Sequence, residues 1–394
     1  MMTDITDGIR YIGTDDADLD LFESQYAVPH GISYNSYLIV DERVAVMDTV
    51  DRRCAEEWWA NLVAALDGRT PDYLVVLHME PDHAACLAEA VQRYPEMRVV
   101  ASARAVQMMP QFFGDAGWAG RTLVVKEGDT LPLGRHTLQF MMAPMVHWPE
   151  VMVAYERTTR TLFSADAFGT FGVLDGELAD GGGSRAWPDE ARRYYYNICG
   201  RYGVQVQALL RKVAPLEVER ICPLHGPVLV CGIGRYMDLY GRWSRYEAES
   251  DGVLVACASI HGGTARVAHC MADMLRARGA EEVKVVDLGR TDMSAAVTEA
   301  FRMGRMVLAA ASYDSSVFPP MYDFLQHLQL KGYQQRRVGM IENGSWAPSA
   351  GRVMRGLLLP MKEVGLVEPM VTVRSALQPA DLPALEALAD AMMA

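Results

Sequence analysis

The sequence predicts an α/β protein of two units: a layered sandwich of strands and helices, then a doubly wound parallel sheet of five strands. Half of the 394 residues are apolar, which is enough to bury more than one core. Short strands and turns dominate up to about residue 230, whereas strands and helices alternate regularly after residue 251. The acidic segment 245–251 separates these patterns. We therefore expect domains at 1–250 and 251–394.

The first half contains six segments with the composition of strands, each ending at a turn or a polar cluster. They are YNSYLIV (34–40), VAVMD (44–48), YLVVL (73–77), LQFMM (138–142), VMVAY (151–155) and TLFSAD (161–166). Apolar residues at helical spacing predict helices over 54–66, 84–94 and 192–213. Strands that flank helices in this way indicate a layered sandwich.

The second half predicts five strands alternating with helices, the pattern of a doubly wound parallel sheet. The strands are VLVACAS (253–259), EVKVVDL (282–288), MVLAAAS (306–312), RVGMIEN (337–343) and MVTVRSA (370–376). The helices are expected over 265–278, 294–302, 321–328 and 351–364, with a last one from residue 382.

A cluster of metal-binding side chains follows the strand YLVVL directly. The segment HMEPDH places His78, Glu80, Asp82 and His83 at the strand's end, where we expect a loop. Turn formation explains a proline and an aspartate there, but it gives no reason for two histidines and a glutamate. The clustering therefore favours a metal site over a structural role.

Three further residues stand just beyond apolar strands: His147, Asp166 and His225. Together with the HMEPDH cluster they provide four imidazoles and three carboxylates, which is enough for two metal ions that share one carboxylate. Glu80 lies between the two histidines of the cluster, and no thiolate belongs to the set. Hard carboxylate ligands mixed with imidazole favour iron or manganese over zinc.

The order of these residues resembles the metallo-β-lactamase superfamily, whose fold is an αββα sandwich with metals at the strand ends. The HxExDH form resembles the flavodiiron proteins, as do the surrounding segments YNSYLI, HWPE and CPLHGP. This resemblance implies a non-haem di-iron site. His78, Glu80 and His147 would bind one iron, Asp82, His83 and His225 the other, and Asp166 would bridge them.

Two further segments of the sequence are implied to lie near the irons. Some family members carry a further histidine before the first hairpin, where this sequence offers Glu23 or the displaced His30. The segment EARRYYYNICG resembles a family segment that lends a tyrosine hydroxyl to the site. By that resemblance we assign the role to Tyr195, although packing alone would also explain three tyrosines on a helix.

The loops that follow the strands of the second half predict a phosphate and flavin site. SIHGGT opens a helix with hydroxyls and backbone N–H groups suited to a phosphate. The loops after the third and fourth strands would face the same switch point. This arrangement resembles a flavodoxin-like domain that binds FMN. The expected contacts are Ser259, Ile260, His261, Gly262, Gly263, Thr264, Ser312, Tyr313, Asp314, Asn343, Gly344, Ser345 and Trp346.

The phosphate loop departs from the family's common form at two positions. Gly263 stands where asparagine is frequent, and His261 stands where an aromatic ring is usual. Phosphate binding should survive, since backbone N–H groups provide it. The redox potential of the flavin does not follow from the sequence.

The combined resemblance implies a flavodiiron oxidoreductase that reduces O2 to water, NO to N2O, or both, with FMN supplying electrons to the irons. It implies a head-to-tail homodimer, or a dimer of dimers, in which the FMN of one subunit meets the irons of the other. CxxC pairs are absent, so we expect a separate electron donor such as rubredoxin or a reduced flavin or deazaflavin system.

Bulk properties exclude several other classes of protein. The net charge of −13 argues against general binding of nucleic acid. The apolar runs fall short of the roughly 18 residues of a membrane helix, and the acidic N-terminus does not resemble a signal peptide. We expect a soluble, cytoplasmic protein that binds no membrane.

Two alternatives stay open on the sequence. One is a dinuclear zinc hydrolase of the metallo-β-lactamase class with an accessory flavodoxin domain, against which Glu80 weighs. The other is a non-catalytic electron carrier or redox-sensing module, against which the complete ligand set weighs.

Overall fold

The computed structural model describes residues 3–118, 120–180 and 187–394. Its contacts divide the chain into two compact units, Met1–Gly241 and Arg242–Ala394. The sequence-based boundary after residue 250 lies nine residues further along. No helix in the described ranges is both long and apolar enough to cross a membrane.

In the described residues, the N-terminal unit contains two seven-stranded sheets and two two-stranded sheets, β3-β6 and β4-β5. Its strands are β1 (Thr3–Thr6), β2 (Ile9–Tyr11), β3 (Thr14–Asp16), β4 (Leu21–Phe22), β5 (Tyr26–Ala27), β6 (Ile32–Tyr34), β7 (Tyr37–Val40), β8 (Val44–Met47), β9 (Tyr73–Val76), β10 (Arg98–Ser102), β11 (Thr122–Val125), β12 (Thr130–Pro132), β13 (Thr137–Met142), β14 (Met152–Glu156), β15 (Thr161–Phe163), β16 (Ala179–Asp180), β17 (Arg220–Cys222) and β18 (Val228–Leu229). Its helices are α1 (Ala55–Leu66), α2 (Pro81–Ala84), α3 (Leu87–Arg93), α4 (Ala103–Phe113), α5 (Trp187–Ile198) and α6 (Gly203–Val213), and α7 (Ile233–Ser244) ends beyond its boundary.

The first sheet runs β1-β2-β7-β8-β9-β10-β11, and the second runs β12-β13-β14-β15-β17-β18-β16. Both sheets are mixed. In the first sheet β1, β2, β7 and β8 pair antiparallel and β8 to β11 pair parallel. In the second sheet β12 to β15 pair antiparallel, and β15 pairs parallel with β17. Their inner faces meet, because the rings of Tyr37 on β7 and Phe163 on β15 lie 5.4 Å apart. Two sheets packed face to face confirm the predicted sandwich.

The C-terminal unit is a parallel sheet with helices on both faces. Its strands are β19 (Ser250–Ala258), β20 (Val283–Asp287), β21 (Met303–Tyr313), β22 (Ser316–Val317), β23 (Arg336–Asn343) and β24 (Val364–Val373), and its helices are α8 (Gly263–Ala277), α9 (Met293–Arg302), α10 (Pro319–Leu330), α11 (Ala350–Leu358) and α12 (Leu382–Met393). The order β20-β19-β21-β23-β24 is the 2-1-3-4-5 order of flavodoxin-like sheets. Side chains of α8 and α12 share one core with the central strands. The predicted five-stranded doubly wound sheet is confirmed.

Some predicted boundaries differ from the structure. The helix expected over 192–213 is two helices, α5 and α6, separated by a 3-10 turn at Gly200–Tyr202. Glycines at 200 and 203 weaken helical propensity at this point. The helix expected over 351–364 ends at Leu358, because Pro360 follows and β24 begins at Val364.

Candidate metal centre and flavin pocket

The seven side chains predicted as metal ligands converge at the ends of strands in both sheets. Their positions are the turn after β9 and helix α2 (His78, Glu80, Asp82 and His83), the β13–β14 loop (His147), the turn after β15 (Asp166) and the turn after β17 (His225). Strands β15 and β17 are parallel neighbours, so their carboxyl ends bring Asp166 and His225 to the same edge. Residues up to 147 positions apart in sequence therefore form one cluster.

Part of HMEPDH is helical and not the loop that the sequence predicts. Pro81 is the first residue of α2, whose four residues include Asp82 and His83. Proline suits this position because its fixed φ matches the helix and its missing N–H would have no partner there. The short helix turns Asp82 and His83 away from His78 and Glu80, so the segment provides two groups of ligands.

The first group, site A, consists of His78, Glu80 and His147. Glu80 Oε2 lies 3.2 Å from His78 Nε2 and 3.0 Å from His147 Nε2, and the two Nε2 atoms are 3.4 Å apart. His78 and His147 are buried. Three donor atoms thus surround one point.

The second group, site B, consists of Asp82, His83 and His225. Asp82 Oδ2 lies 3.4 Å from His83 Nε2 and 3.3 Å from His225 Nε2. The two Nε2 atoms are 3.1 Å apart, and all three side chains are buried. Site B repeats the geometry of site A.

Asp166 stands between the two sites and offers one oxygen to each. Its Oδ2 lies 3.3 Å from His78 Nε2 and 3.0 Å from His147 Nε2. Its Oδ1 lies 3.2 Å from His83 Nε2 and 3.9 Å from His225 Nε2. A carboxylate placed in this way can hold two cations at once.

The spacing of the donors fits two metal ions. Donors bound at about 2.1 Å to one ion, at octahedral to tetrahedral angles, lie about 3.0 to 3.4 Å apart. Most separations within sites A and B fall in that range. Both carboxylate oxygens of Asp82 and of Asp166 are buried, and histidine nitrogens are the only donors that the described residues place near them. Buried carboxylates require a cation or a donor, so the cluster is suited to metal binding.

Hydrogen bonds set the direction of two imidazoles. His78 Nδ1 lies 2.7 Å from Glu150 Oε1, and His225 Nδ1 lies 2.7 Å from the carbonyl oxygen of Ser33. Both partners are acceptors, so each Nδ1 carries the proton and donates it. The Nε2 lone pairs then point into the cluster, as metal ligands require.

The electrostatics show that the cluster needs positive charge. Burial opposes the charged form of His147, but hydrogen bonds to Asp166 and Glu80 outweigh it and raise the pKa of His147 to about 9. Burial also opposes ionisation of Asp166, yet the neighbouring histidines hold its pKa well below the usual range. The carboxylates thus favour positive charge within the cluster, which bound metal cations would supply.

Sequence reasoning missed the groups that orient the ligands. Glu150 accepts from His78 and from the backbone N–H of Met79 at 2.9 Å, and Asp48 Oδ1 accepts from the N–H of Leu77 and of His78. Burial raises the pKa of Asp48 to about 8, although both backbone N–H groups oppose the rise. The segment HWPE already contained Glu150, three residues after His147, but its contact with His78 spans 72 positions.

The role predicted for Tyr195 remains a prediction, and the structure adds Tyr194 as a second candidate. The ring of Tyr194 lies against the cluster, with its centroid 5.6 Å from that of His225. The ring of Tyr195 packs on Tyr196 and Tyr240. Successive helical residues point about 100° apart, so the two side chains face different surroundings. Tyr194 is buried, and burial followed by the charges of Asp166, Asp82 and Glu80 raises its pKa well above the usual value.

The segment before the first hairpin also differs from expectation. Glu23 and His30 are both exposed. Phe22 points inward instead, and its ring centroid lies 5.3 Å from that of His225, edge to face. In this segment an apolar ring therefore contacts His225, while Glu23 and His30 are exposed.

A cavity of about 630 Å³ lies at the carboxyl ends of the strands of the C-terminal unit. It is lined by twelve of the thirteen predicted flavin contacts, all except Gly262. Gly262 precedes helix α8 with φ +84, and its N–H donates to Ser259 Oγ, so it shapes the turn. Tyr313 and Trp346 are 44% and 90% exposed, as stacking surfaces for a planar ring would be. These loops and exposed rings are suited to a flavin.

Seven lining residues were not predicted from the sequence: Arg266, Ala311, Ser315, Ala347, Ser349, Ser375 and Ala376. Ser375 and Ala376 lie in a loop after β24, whereas the sequence analysis placed them in the strand MVTVRSA (370–376). The side chain of Asn343 binds this loop, since its Nδ2 donates to the carbonyl of Ser375 and its Oδ1 accepts from the Ser375 N–H. The polar atoms of Asn343 therefore fix the position of the loop that forms this wall of the cavity.

Comparison with known proteins gives a match to a family model within the N-terminal unit and matches to proteins over nearly the whole chain. Residues 32–226 match the family model of the ODP family beta lactamase. A nitric oxide reductase of Moorella thermoacetica is 29% identical over 377 residues, covering 94% of this chain and 92% of that protein.

Two solved structures superpose on the full length of this chain. The rubredoxin oxygen:oxidoreductase of Desulfovibrio gigas superposes with a TM-score of 0.94 and 25% identity, covering 100% of this chain and 98% of the other. The flavodiiron protein of Giardia intestinalis gives a TM-score of 0.90 at 23% identity, with 100% and 96% covered, which shows the shared fold.

Proposed function

Since this chain belongs to the flavodiiron proteins, we propose that it is an oxidoreductase that reduces O2, NO, or both at a di-iron centre supplied with electrons by FMN. The observation that supports this most directly is Asp166, whose two oxygens face two separate groups of ligands. The similar proteins named for oxygen and nitric oxide reduction agree with this proposal.

We propose that site A and site B each hold one iron and that Asp166 bridges them. Glu80 and Asp82 make each site a mixture of imidazole and carboxylate, which suits iron with open positions for a small ligand. The irons would supply electrons to the bound gas. The protein's own part is to hold the ligands rigidly and to keep bulk water out, since nearly all of them are buried.

FMN is the proposed flavin of the C-terminal cavity. The N-terminus of α8 and Thr264 would bind the phosphate, and the exposed rings of Tyr313 and Trp346 would bind the isoalloxazine. The flavin would collect single electrons from a donor and pass them on to the irons. Its role here is storage and transfer.

The donor, the assembly and the location are also proposals. A separate donor such as rubredoxin, or a reduced flavin or deazaflavin system, would reduce the FMN, and the name of the Desulfovibrio gigas protein supports the first of these. A homodimer would bring FMN and irons of different subunits together, which sedimentation analysis would test. A cytoplasmic location would be tested by cell fractionation.

The two alternatives are not favoured. A zinc hydrolase gives no reason for Glu80 within site A or for a cavity that fits a flavin. A non-catalytic carrier gives no reason for seven converging ligands. Metal analysis of the purified protein that found zinc alone in both sites would favour the hydrolase.

Anaerobic stopped-flow spectroscopy tests the proposal. The reduced protein is mixed with O2 and with NO separately, and flavin reoxidation is followed over several turnovers. We expect rapid reoxidation by at least one gas. Reoxidation by neither gas at rates above that of free FMN would overturn the proposed function.

Asp166→Ala tests the bridge. We expect loss of most of the iron and of gas reduction, with the FMN spectrum unchanged, because the change leaves both sites without their shared ligand. Asp18→Ala is the matched control, since Asp18 is exposed in the same unit. Loss of FMN with retained iron in Asp166→Ala would contradict the site assignment.

A further inference from the structure

A second cavity, of about 280 Å³, lies in the N-terminal unit beside the candidate metal centre. Its wall includes Val28, Val173, Trp187 and Pro227, and its rim includes the exposed Pro29. The loops that hold the ligands continue into this wall. Pro227 follows His225 by two residues, and Thr170, also in the wall, follows Asp166 by four.

Three aromatic side chains stand between this cavity and the ligands of site B. Phe171 lines the cavity, and its ring centroid lies 5.6 Å from that of Phe22 and 5.1 Å from that of Tyr194. Phe22 and Tyr194 in turn contact the ring of His225, at 5.3 and 5.6 Å. We call these three residues the aromatic partition. Two successive rings, Phe171 and then Phe22 or Tyr194, thus separate the cavity from a proposed iron ligand.

Arg193 packs against the aromatic partition, and its charge is paired with that of Glu190. Its guanidinium lies 4.3 Å from the ring centroid of Phe171. Its Nε and Nη2 both donate to Glu190 Oε2, at 3.0 and 2.7 Å, and its Nη1 donates to the carbonyl oxygen of Ala27 at 2.9 Å. The charge of Arg193 is compensated within the wall by Glu190. Most of the remaining lining is apolar, and His30 and Thr170 are its polar members.

We propose that this cavity is a vestibule that binds a small apolar gas, O2 or NO, on its way to the metal centre. The inference rests on the proposed function. Uncharged diatomic molecules prefer an apolar cavity to water, and apolar cavities in proteins bind gases such as xenon. The cavity is far larger than one diatomic molecule. Rotation of the rings in the aromatic partition would open a path from the cavity to the metal centre.

Xenon tests the cavity without relying on turnover. Crystals of the full-length protein as isolated are pressurised with xenon and compared with unpressurised crystals. We expect xenon density in the cavity beside Phe171. Xenon bound elsewhere but absent from this cavity would overturn the proposal.

Val173→Trp tests the route by narrowing the cavity at a partly buried wall residue. We expect the second-order rate constant for reoxidation by gas to fall about tenfold, with a raised KM for gas and unchanged kcat at saturation. Val204→Trp is the matched control, because Val204 is 74% exposed on α6. Val173→Phe serves if the tryptophan variant does not fold.

The outcomes separate the two proposals. Absence of gas reduction by the unmodified protein contradicts the proposed function, whereas xenon binding still reports on the cavity. Normal reduction by the unmodified protein, with equal rate constants for Val173→Trp and Val204→Trp at equal iron and FMN content, overturns the vestibule. A fall in kcat alone would also overturn it, since a route for gas acts before saturation.

Discussion

Single side chains in this protein are oriented by partners distant in sequence. Glu150 accepts a hydrogen bond from His78 Nδ1, 72 positions away in sequence. The carbonyl oxygen of Ser33 accepts one from His225 Nδ1, 192 positions away. Each partner fixes the ring and directs its Nε2 lone pair into the cluster. Affinity for metal therefore depends on residues that do not touch it.

Glu150→Gln tests this dependence. The amide can still accept one hydrogen bond, but it lacks the charge that makes His78 a stronger ligand, so we expect the affinity for iron to fall about 10- to 100-fold. Titration of the metal-free protein with Fe²⁺ under anaerobic conditions measures it. Glu42→Gln, at an exposed position, serves as the control. An unchanged iron affinity in Glu150→Gln would show that Glu150 is only structural.

Tyr194→Phe and Tyr195→Phe form a matched pair of neighbouring changes. Tyr194 is held in its neutral, proton-bearing form beside the carboxylates, and it lies against His225. We expect Tyr194→Phe to slow gas reduction about tenfold or more. Tyr195→Phe should stay within about twofold, since its ring packs on Tyr196 and Tyr240. Stopped-flow rates measure both, and the reverse order would restore Tyr195 as the functional tyrosine.

At the scale of elements, turns and loops rather than the sheets themselves shape both sites. Helix α2 divides the HMEPDH ligands into two groups because Pro81 starts a helix. The loop after β24 closes the flavin cavity because Asn343 binds its backbone. Small changes in these segments should alter binding without unfolding the unit.

Gly263→Ala tests how closely the loop after β24 approaches the phosphate turn. A Cβ at position 263 would lie 2.9 Å from the carbonyl oxygen of Ser375, so the loop must move. We expect FMN affinity to fall about tenfold, measured by fluorescence titration of the flavin-free protein.

Gly356→Ala is the control for this change. Gly356 lies in α11, and an added Cβ would meet no atom within 4 Å. We expect unchanged FMN affinity and a gain in stability of up to about 1 kcal/mol, since alanine favours a helix. Equal FMN affinities in the two variants would contradict the close approach.

The turn after β14 provides a pH-dependent test. Glu156 is buried and accepts from the N–H groups of Thr158 and Thr159 and from Thr159 Oγ1. Burial opposes its ionisation, but these hydrogen bonds outweigh burial and lower the pKa of Glu156 below 4.5. A lowered folded-state pKa stabilises the fold above the unfolded value, and this stabilisation is lost as pH falls through the folded value.

Glu156→Gln should therefore lower the free energy of unfolding by about 1 to 3 kcal/mol at pH 7, because glutamine has only one acceptor oxygen. The difference from the unmodified protein should shrink below pH 4.5. Urea unfolding at pH 7 and pH 4 measures both, with the exposed Glu96→Gln as the control. A difference that did not change with pH would show that the charge of Glu156 is unimportant.

The whole molecule consists of two units with separate cores and separate candidate sites. Metal would bind only the N-terminal unit, and flavin only the C-terminal unit. Each ligand should therefore stabilise its own unit, by about 2.7 kcal/mol at a free concentration 100 times Kd.

Removal of each cofactor tests this at the scale of the molecule. We expect chelation of iron to lower the temperature at which the N-terminal unit unfolds, and removal of FMN to lower that of the C-terminal unit. Calorimetry of the four loading states, with flavin fluorescence and iron absorbance as separate probes, distinguishes the two. Equal effects of both treatments on both probes would mean that the units unfold as one.

The sequence by itself determined the two-unit α/β fold and pointed to seven candidate ligands. Hydrophobic periodicity reports secondary structure locally, and histidines and carboxylates clustered at the ends of strands have few structural explanations. Family resemblance added the division into two irons and the bridging role of Asp166, both of which remain proposals.

Only the tertiary structure decided which further groups meet the site. Helical phase placed Tyr194 against His225, and a hairpin turned Phe22 inward while Glu23 stayed exposed. The contact of Glu150 with His78 and the cavity behind Phe171 join segments distant in sequence. Such contacts depend on how strands and loops pack in three dimensions, and no local pattern of residues records that packing.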